Sequence, residues 1–284
     1  YNVPLLYEAA CCASIPIIRN LEEYYDNDLL ESIQGIVNGS TNYILTKTFK
    51  DNLSYEDALK EAQEKGFAES NPILDTGGFD AKYKLLILLA HSFGYIAKPD
   101  DLLNIGINNI GGLELKYARE KGLKIKLVAQ AFKNTNGSIS AFVIPKFVDA
   151  EDRLFNVDDV FNGVITKTSF ADEQFFVGKG AGAHPTASAV LSDISALSYN
   201  YQYEYKKIAQ QEDLSLSDDV NLKVFLRHQV EDAVTLKKHF SNIDESYLNQ
   251  DSGYITGIIS LENLRNIHFD ESFEKSFVLL EVQN

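Results

Sequence analysis

The sequence predicts an α+β fold, in which a mixed sheet with helices is followed by a small βαββαβ unit. Three observations support this prediction. Helix start and stop signals fall within the first hundred residues, and paired strand-like runs begin at residue 124. The last segment, 220–284, alternates the two kinds of pattern. Alternation of strands with helices is typical of a sheet that is covered by helices.

Two helices are predicted from their end signals. Ser54 and Asp57 form a pattern like a capping box, strong helix formers follow, and Gly66 suits the stop. A very apolar helix is predicted over 80–93, and Gly94 closes it.

Strands are predicted at 124–132 and 139–144, joined by a turn at 134–137, and at 164–168 and 174–177. A glycine-rich loop at 178–182 and a helix over 186–193 follow. We assign residues 1–205 to this first domain.

An acidic linker is predicted at 206–219, and residues 220–284 form the second unit. The order of elements in that unit is ferredoxin-like. The predicted elements are a strand (220–227), a helix (231–240), two strands (243–248 and 253–260), a helix (261–266) and a strand (276–282).

Charge and composition exclude several classes of protein. Lys and Arg number 26 and Asp and Glu number 41, which gives a net charge of −15 over 284 residues. Phosphate backbones and anionic lipids repel such a chain, so we expect no nucleic acid or membrane partner. The longest apolar run, 85–90, is too short to span a bilayer. Cys11 and Cys12 are adjacent and form no disulfide framework, which favours a reducing, cytoplasmic location.

The densest cluster of reactive side chains surrounds the start of the apolar helix. Three carboxylates (Glu69, Asp75 and Asp80) and one lysine (Lys84) bracket a loop that enters it. Asp80 and Lys84 are four residues apart and therefore share a helix face. Charged groups beside a buried helix are typical of a proton donor, but a surface ion pair explains the spacing equally well.

The other motifs are weaker. Residues 36–43 are read as a turn or a helix cap, and His91 as a core or cap residue. The loop at 178–182 follows a strand and precedes a helix, so its backbone N–H groups could face a phosphate, but it lacks the G-x-G-x-x-G spacing. No histidine pairs with a cysteine at zinc-binding spacing.

Taken together, these motifs resemble the homoserine dehydrogenase family, and they follow one another in that family's order. The segments that carry the resemblance are YEAA (7–10), IPII (15–18), GIVNGSTNYIL (35–45), GFAE (66–69), DTGGFDAKYK (75–84) and GKGAGAHPTASAV (178–190).

The resemblance implies an oxidoreductase that interconverts L-homoserine and L-aspartate 4-semialdehyde with NAD or NADP, in threonine and methionine biosynthesis. Family members begin with a Rossmann domain carrying G-x-G-x-x-G, and this sequence shows no such motif. We therefore expect it to match the C-terminal two-thirds of a member, and to be inactive alone. The last unit resembles the ACT regulatory domain of longer members.

The resemblance also implies roles for individual residues. Lys84 matches the proton donor to the forming alkoxide, and Asp80 is catalytic beside it. The substrate-binding positions are Glu69, Asp75, Asp80, Gly39 and Ser40. Gly180, Ala181 and Gly182 match a loop that returns to the cofactor. Glu8 and the main chain of Cys11, Ala13 and Ile15 match a site for a monovalent cation, Na⁺ or K⁺, although the family usually has glycines at Cys12, Ala13 and Ser14.

The family analogy further implies a homodimer or homotetramer and a threonine effector for residues 220–284. The alternative function, of a different class, is a non-catalytic dimerising scaffold with an effector-binding regulatory domain. The joint presence of Glu69, Asp80 and Lys84 favours the enzyme, because a scaffold needs none of the three.

Overall fold

The computed structural model describes residues 3–27, 29–210, 214–271 and 274–283. The helices in these residues are α1 (Ile17–Glu23), α2 (Gly39–Lys50), α3 (Tyr55–Glu64), α4 (Ile73–Thr76), α5 (Phe79–Phe93), α6 (Gly112–Glu120), α7 (Ala183–Leu197), α8 (Lys206–Gln210), α9 (Ala233–Lys237) and α10 (Leu261–Phe269). The strands are β1 (Leu30–Ile36), β2 (Leu103–Asn104), β3 (Lys124–Lys133), β4 (Ile139–Val148), β5 (Phe161–Thr168), β6 (Asp172–Lys179), β7 (Asn221–Gln229), β8 (Asn242–Leu248), β9 (Ser252–Ser260) and β10 (Ser276–Gln283). Short 3₁₀ helices cover Glu8–Ala10, Pro99–Asp101 and Arg153–Asn156.

All the described strands belong to one mixed sheet, in the order β6-β5-β1-β3-β4-β10-β7-β9-β8, with β2 beside β4. Most neighbours are antiparallel, but β4 pairs in parallel with both β2 and β10. The prediction of an α+β protein with a mixed sheet is confirmed.

The helix that carries the candidate site is α5, which packs on β3 and β4. Its buried side chains, among them Leu85, Leu89 and Phe93, belong to the main core. The helix ends at Gly94, whose φ of 71° is left-handed, and a Cβ there would overlap the Lys207 carbonyl. Glycine is the residue that adopts this conformation most readily, so the predicted stop is confirmed.

Two further local predictions are confirmed. The Ser54 hydroxyl accepts the Asp57 backbone N–H at 3.1 Å at the start of α3. His91 is buried, with Nδ1 2.5 Å from Glu22 Oε1 and Nε2 2.7 Å from the Tyr7 hydroxyl.

Seven of the described helices and strands have no counterpart in the prediction, namely α1, α2, α4, α6, α8, β1 and β2. The segment 36–43 does contain a helix cap, because Asn38 Oδ1 accepts the Thr41 N–H at 2.9 Å and begins α2. A continuing helix was not predicted there.

The last six elements occur in the order strand, helix, strand, strand, helix, strand, and their strands run β10-β7-β9-β8 across the sheet. Strand β10 also lies beside β4, with Leu279 opposite Lys146, so the sheet continues into the first part of the chain. Of the predicted linker, 206–210 is helical and Leu216 bridges to Ile139, while 211–213 lie outside the described residues.

Candidate active site

The ammonium group of Lys84 is held at the start of α5. Its Nζ donates to Asp80 Oδ2 at 2.7 Å and to the Val37 carbonyl at 3.0 Å. The side chains of Lys84 and Asp80 are 20% and 32% exposed, so the pair is partly shielded from water and still reachable. Asp80 and Lys84, four residues apart on α5, therefore form an ion pair that is only partly exposed, so that water screens their attraction less than it would on an open surface.

Asn38 joins this pair to a second carboxylate. Its Nδ2 donates to Asp75 Oδ1 and to Asp80 Oδ2, both at 2.7 Å, and its side chain is buried. The same residue caps α2 through Oδ1. Sequence reasoning named the segment as a cap but missed the contact with the carboxylates, because Asp80 is 42 residues away along the chain.

The remaining predicted substrate residues follow Asn38 in the chain or lie in the loop after α3. Gly39 is the first residue of α2, and the Ser40 hydroxyl donates to the Phe67 carbonyl at 2.5 Å. Glu69 follows on the same loop and is exposed. Its carbonyl accepts from Gln63 Nε2 at 2.9 Å, and no described residue hydrogen-bonds to its carboxylate. The structure therefore joins Lys84, Asp80 and Asp75 through Asn38, and it leaves the Glu69 carboxylate exposed without a hydrogen bond or ion pair among the described residues.

The glycine-rich loop approaches the turn at residues 11–15. The Ser14 N–H and hydroxyl both donate to the Lys179 carbonyl, at 3.2 and 3.0 Å. A Cβ on Gly180 would overlap the buried Asn162 amide, so only glycine permits this close approach. The chain passes through Gly180, Ala181 and Gly182 into α7, whose first helical residue is Ala183.

The turn itself reaches the lysine cluster. Cys11 Sγ lies 3.8 Å from the Lys84 carbonyl, and Cys12 is completely buried beside it. Burial raises the pKa of Cys12 to about 11, so its thiol stays protonated at neutral pH. The turn thus connects the glycine-rich loop with the helix that carries Lys84.

The predicted cation ligands lie in and beside this turn. Cys12 and Ala13 have φ values of 57° and 34°, in the left-handed region where glycine is favoured. The Glu8 carboxylate accepts the N–H groups of Ile18 and Arg19, both at 2.9 Å, and so caps α1. Burial raises the pKa of Glu8 to about 7. The described residues hold no group of three His, Cys, Asp or Glu side chains placed to bind a metal.

The cluster offers an ammonium donor with carboxylate acceptors beside it. The turn at residues 11–15 connects it to the glycine-rich loop. Lysine has three N–H donors, and two are used in the described contacts. The third can reach an external oxygen.

Within the part of the chain that the structure covers, no helix has the length and apolarity needed to cross a bilayer.

Comparison with known proteins matches these features to one family. The sequence profile of the homoserine dehydrogenase family matches residues 16–195. A homoserine dehydrogenase of Helicobacter pylori is 42% identical over 193 residues, which are 68% of this chain and 46% of the relative. One of Bacillus subtilis is 34% identical over 235 residues, 81% of this chain and 54% of the relative.

Solved structures agree. The homoserine dehydrogenase of Thiobacillus denitrificans superposes with a TM-score of 0.82 at 28% identity, over 97% of this chain and 69% of that one. A hyperthermophilic archaeal homoserine dehydrogenase in complex with NADPH superposes with a TM-score of 0.59 at 31% identity, over 70% of this chain and 56% of that one. The chain spans about half the length of the curated relatives it matches. From the profile match over more than half of its residues, the chain belongs to the homoserine dehydrogenase family.

Proposed function

We propose that this chain supplies the substrate-binding and proton-transfer residues for the NAD(P)-dependent interconversion of L-homoserine and L-aspartate 4-semialdehyde. The observation that carries the proposal is the Lys84 ammonium, held by Asp80 and Val37 with one N–H donor to spare. This reaction belongs to threonine and methionine biosynthesis, in the cytoplasm.

In the reducing direction, bound NADH or NADPH supplies a hydride to the aldehyde carbon. The carbonyl oxygen then gains negative charge, which the Lys84 ammonium stabilises and protonates. Lys84 regains its proton from solvent, which reaches its partly exposed side chain. In the oxidising direction, neutral Lys84 accepts the hydroxyl proton.

The carboxylates hold the substrate in this proposal. The Glu69 carboxylate is exposed and free of described partners, so it can accept the substrate's ammonium group. Asp80 binds the hydroxyl end beside Lys84, and Asp75 supports it through Asn38. Gly39 and Ser40, which follow Asn38 at the start of α2, complete the substrate-binding positions in this proposal.

In this proposal, main-chain atoms contact the cofactor and bind the cation. Gly178 and Gly180 pack closely against the side chains of Ser14 and Asn162, which holds the main chain of this loop in place at the start of α7, where we propose that it borders the NAD(P) nicotinamide end. The carbonyls of Cys11, Ala13 and Ile15, in a turn with two left-handed residues beside Glu8, are oxygen donors of the kind that Na⁺ or K⁺ takes.

Oligomer formation is supported by an apolar surface. Helix α7 exposes Val190, Leu191, Ile194 and Leu197, and β6 lies at the end of the strand order with Val177 exposed. Apolar patches of this kind mark interaction sites, so we propose a homodimer or homotetramer through this face. Sedimentation equilibrium tests this: Leu191→Glu should shift the assembly towards single chains, and a wild-type monomer contradicts the proposal.

For residues 220–284 we propose a ferredoxin-like, ACT-like domain that binds an amino-acid effector, threonine. Its element order and the strand order β10-β7-β9-β8 support this. Isothermal titration of the intact protein with L-threonine, and with D-threonine as control, tests it. Absence of heat from L-threonine would contradict this role.

The enzymatic proposal is tested with the full-length protein, by following homoserine-dependent reduction of NAD⁺ and of NADP⁺. We expect turnover with at least one cofactor, and its loss in Lys84→Met. A folded full-length protein without turnover would favour the non-catalytic dimerising scaffold.

A further inference from the structure

A separate cavity of about 840 Å³ lies behind the catalytic helix. It is bounded by the start of α5, by the segment 104–109 and by the described residues at 268–271 and 274–277. The side chains used in the argument below are Phe79, Lys82, Asp100, His268 and Lys275. The cavity therefore lies between the helix that carries Lys84 and the C-terminal part of the chain.

Lys82 reaches this cavity from the opposite face of α5. It is two residues from both Asp80 and Lys84, which in an α-helix corresponds to a rotation of about 200°. Its ammonium group cannot join the Lys84 cluster and faces the cavity instead.

Lys82 is only 7% exposed, and none of the described residues forms a hydrogen bond or ion pair with its ammonium group. The contact that the structure does give it is the Phe79 ring, 5.4 Å from Nζ to the ring centre. Burial lowers the pKa of Lys82, against a weaker opposing effect of Asp100. The ammonium group therefore opens onto the cavity with its positive charge unpaired among the described residues, and an anion in the cavity could form a charge-assisted hydrogen bond with it.

Of the other charged side chains that the argument uses, one lysine is buried and three carboxylates are exposed. Lys275 is also buried, and its ammonium group donates to the Asp270 carbonyl. The carboxylates of Asp100, Glu271 and Glu274 belong to exposed residues at the rim. Because water screens the rim carboxylates, the inner end of the cavity remains a place for negative charge.

We propose that this cavity is a binding site for a small organic anion, whose carboxylate or phosphate group pairs with the ammonium group of Lys82. The bound anion lies between Lys82 on α5 and the lining side chains of His268 and Lys275. The cavity differs from a site formed by residues 220–284 alone, because Phe79 and Lys82 of α5 also line it. Binding of the anion at this site does not require the enzymatic reaction.

The test uses the intact protein with two probes, acetate and inorganic phosphate, at constant ionic strength. Binding is followed by isothermal titration and by the NMR signals of His268, whose side chain lines the cavity. We expect saturable binding of at least one probe with a Kd of about 1 mM or tighter. Acetate binding identifies a carboxylate site, and phosphate binding alone identifies a phosphate site.

Lys82→Met should weaken this binding at least about tenfold, and Lys82→Arg should retain it because the charge remains. The matched control is Lys60→Met, which removes an exposed lysine from α3 and should bind like the wild type. If Lys82→Met does not fold, the comparison is made with Lys82→Gln. Failure of both probes to bind the folded wild type, or equal binding by the wild type and a folded variant without charge at 82, overturns the proposal.

Discussion

At the scale of single residues, replacing Lys84 has the largest expected effect on the reaction rate. Removing a general acid lowers a rate by about 10²- to 10⁴-fold, so Lys84→Met in the full-length enzyme should lower kcat by that factor. The thermal melt should change little, because the ion pair with Asp80 is partly exposed. Steady-state homoserine oxidation on melt-checked samples measures both.

The control for that variant is Lys223→Met. Lys223 also pairs with a carboxylate, Asp244 at 2.8 Å, but lies on β7 in the C-terminal part of the chain. Its loss should leave kcat unchanged. Near-normal kcat in Lys84→Met would show that Lys84 is a structural ion-pair partner only.

Asn38 is a positioning residue with a separate prediction. Asn38→Asp replaces an amide that donates to Asp75 and Asp80 with a third carboxylate, so repulsion should displace Asp80. We expect kcat/KM to fall more than tenfold and its pH profile to move. Asp still caps α2, so the free energy of unfolding should change by about 1 kcal/mol or less from the cap alone.

Asn38→Ser gives the complementary measurement, because serine retains a cap and adds no charge. A purely structural role predicts normal kcat/KM and an unchanged pH profile in both variants. That result would remove Asn38 from the site.

The spacing of Asp80 and Lys84 could be predicted from sequence, because residues four apart on a helix meet whatever the rest of the chain does. The contribution of Asn38 could not, because it requires β1 and α5 to lie side by side. The local pattern at Asn38 indicates a cap, and the tertiary structure gives the same amide a second use.

At the scale of elements, the contact of α2 with β3 includes a buried charge cluster. Lys126 is 1% exposed and donates to Asp158 at 2.9 Å, and Lys124 and Lys50 approach the same carboxylate at 3.1 and 3.0 Å. Burial lowers the pKa of Lys126 to about 8. Burial alone would raise the pKa of Asp158, but Lys126 and the other lysines outweigh it and lower that pKa to about 2.

Asp158→Asn should therefore lower the free energy of unfolding by about 3 kcal/mol, because it leaves Lys126 buried without its counter-ion. Urea unfolding followed by circular dichroism measures this. Asp51→Asn, which breaks an exposed pair with Lys47, is the control and should cost about 1 kcal/mol or less. Equal effects would mean that Lys126 loses its charge at little cost.

The same carboxylate predicts a dependence on pH. Its folded pKa of about 2 lies below the ordinary 3.8, so the stability it adds is complete above 3.8 and is lost as the pH falls through 2. Wild-type unfolding free energy should fall more steeply than that of Asp158→Asn in this window. Parallel curves would contradict the assignment.

Elements with local end signals, such as α3 with Ser54 and α5 with Gly94, could be predicted from sequence. Strand β1 could not, because it carries few β-branched residues and is held by β3 and β5 on either side.

Helix α6 begins where Glu114 accepts the Gly111 N–H at 3.0 Å. The same carboxylate binds Arg227, which lies 113 residues away.

At the scale of the whole molecule, that contact links the two parts of the chain. Glu114 is fully buried and accepts from Arg227 Nε at 2.8 Å, while Arg227 Nη2 donates to the Asn109 carbonyl at 2.8 Å. Together with the pairing of β10 and β4, it predicts that the two parts unfold as one unit.

The five histidines allow this to be measured, since His91 and His184 lie in the first part and His228, His239 and His268 in the second. Their NMR signals should disappear at one urea concentration in the wild type. Glu114→Gln removes a buried charge-assisted hydrogen bond and should lower the unfolding free energy by about 2 kcal/mol. Glu245→Gln is the control: it breaks another contact between the two parts, with Lys121, but that pair is 43% exposed on both sides and should cost about 1 kcal/mol or less. Separate midpoints for the two groups of histidines in the wild type would show that the continuous sheet does not couple them.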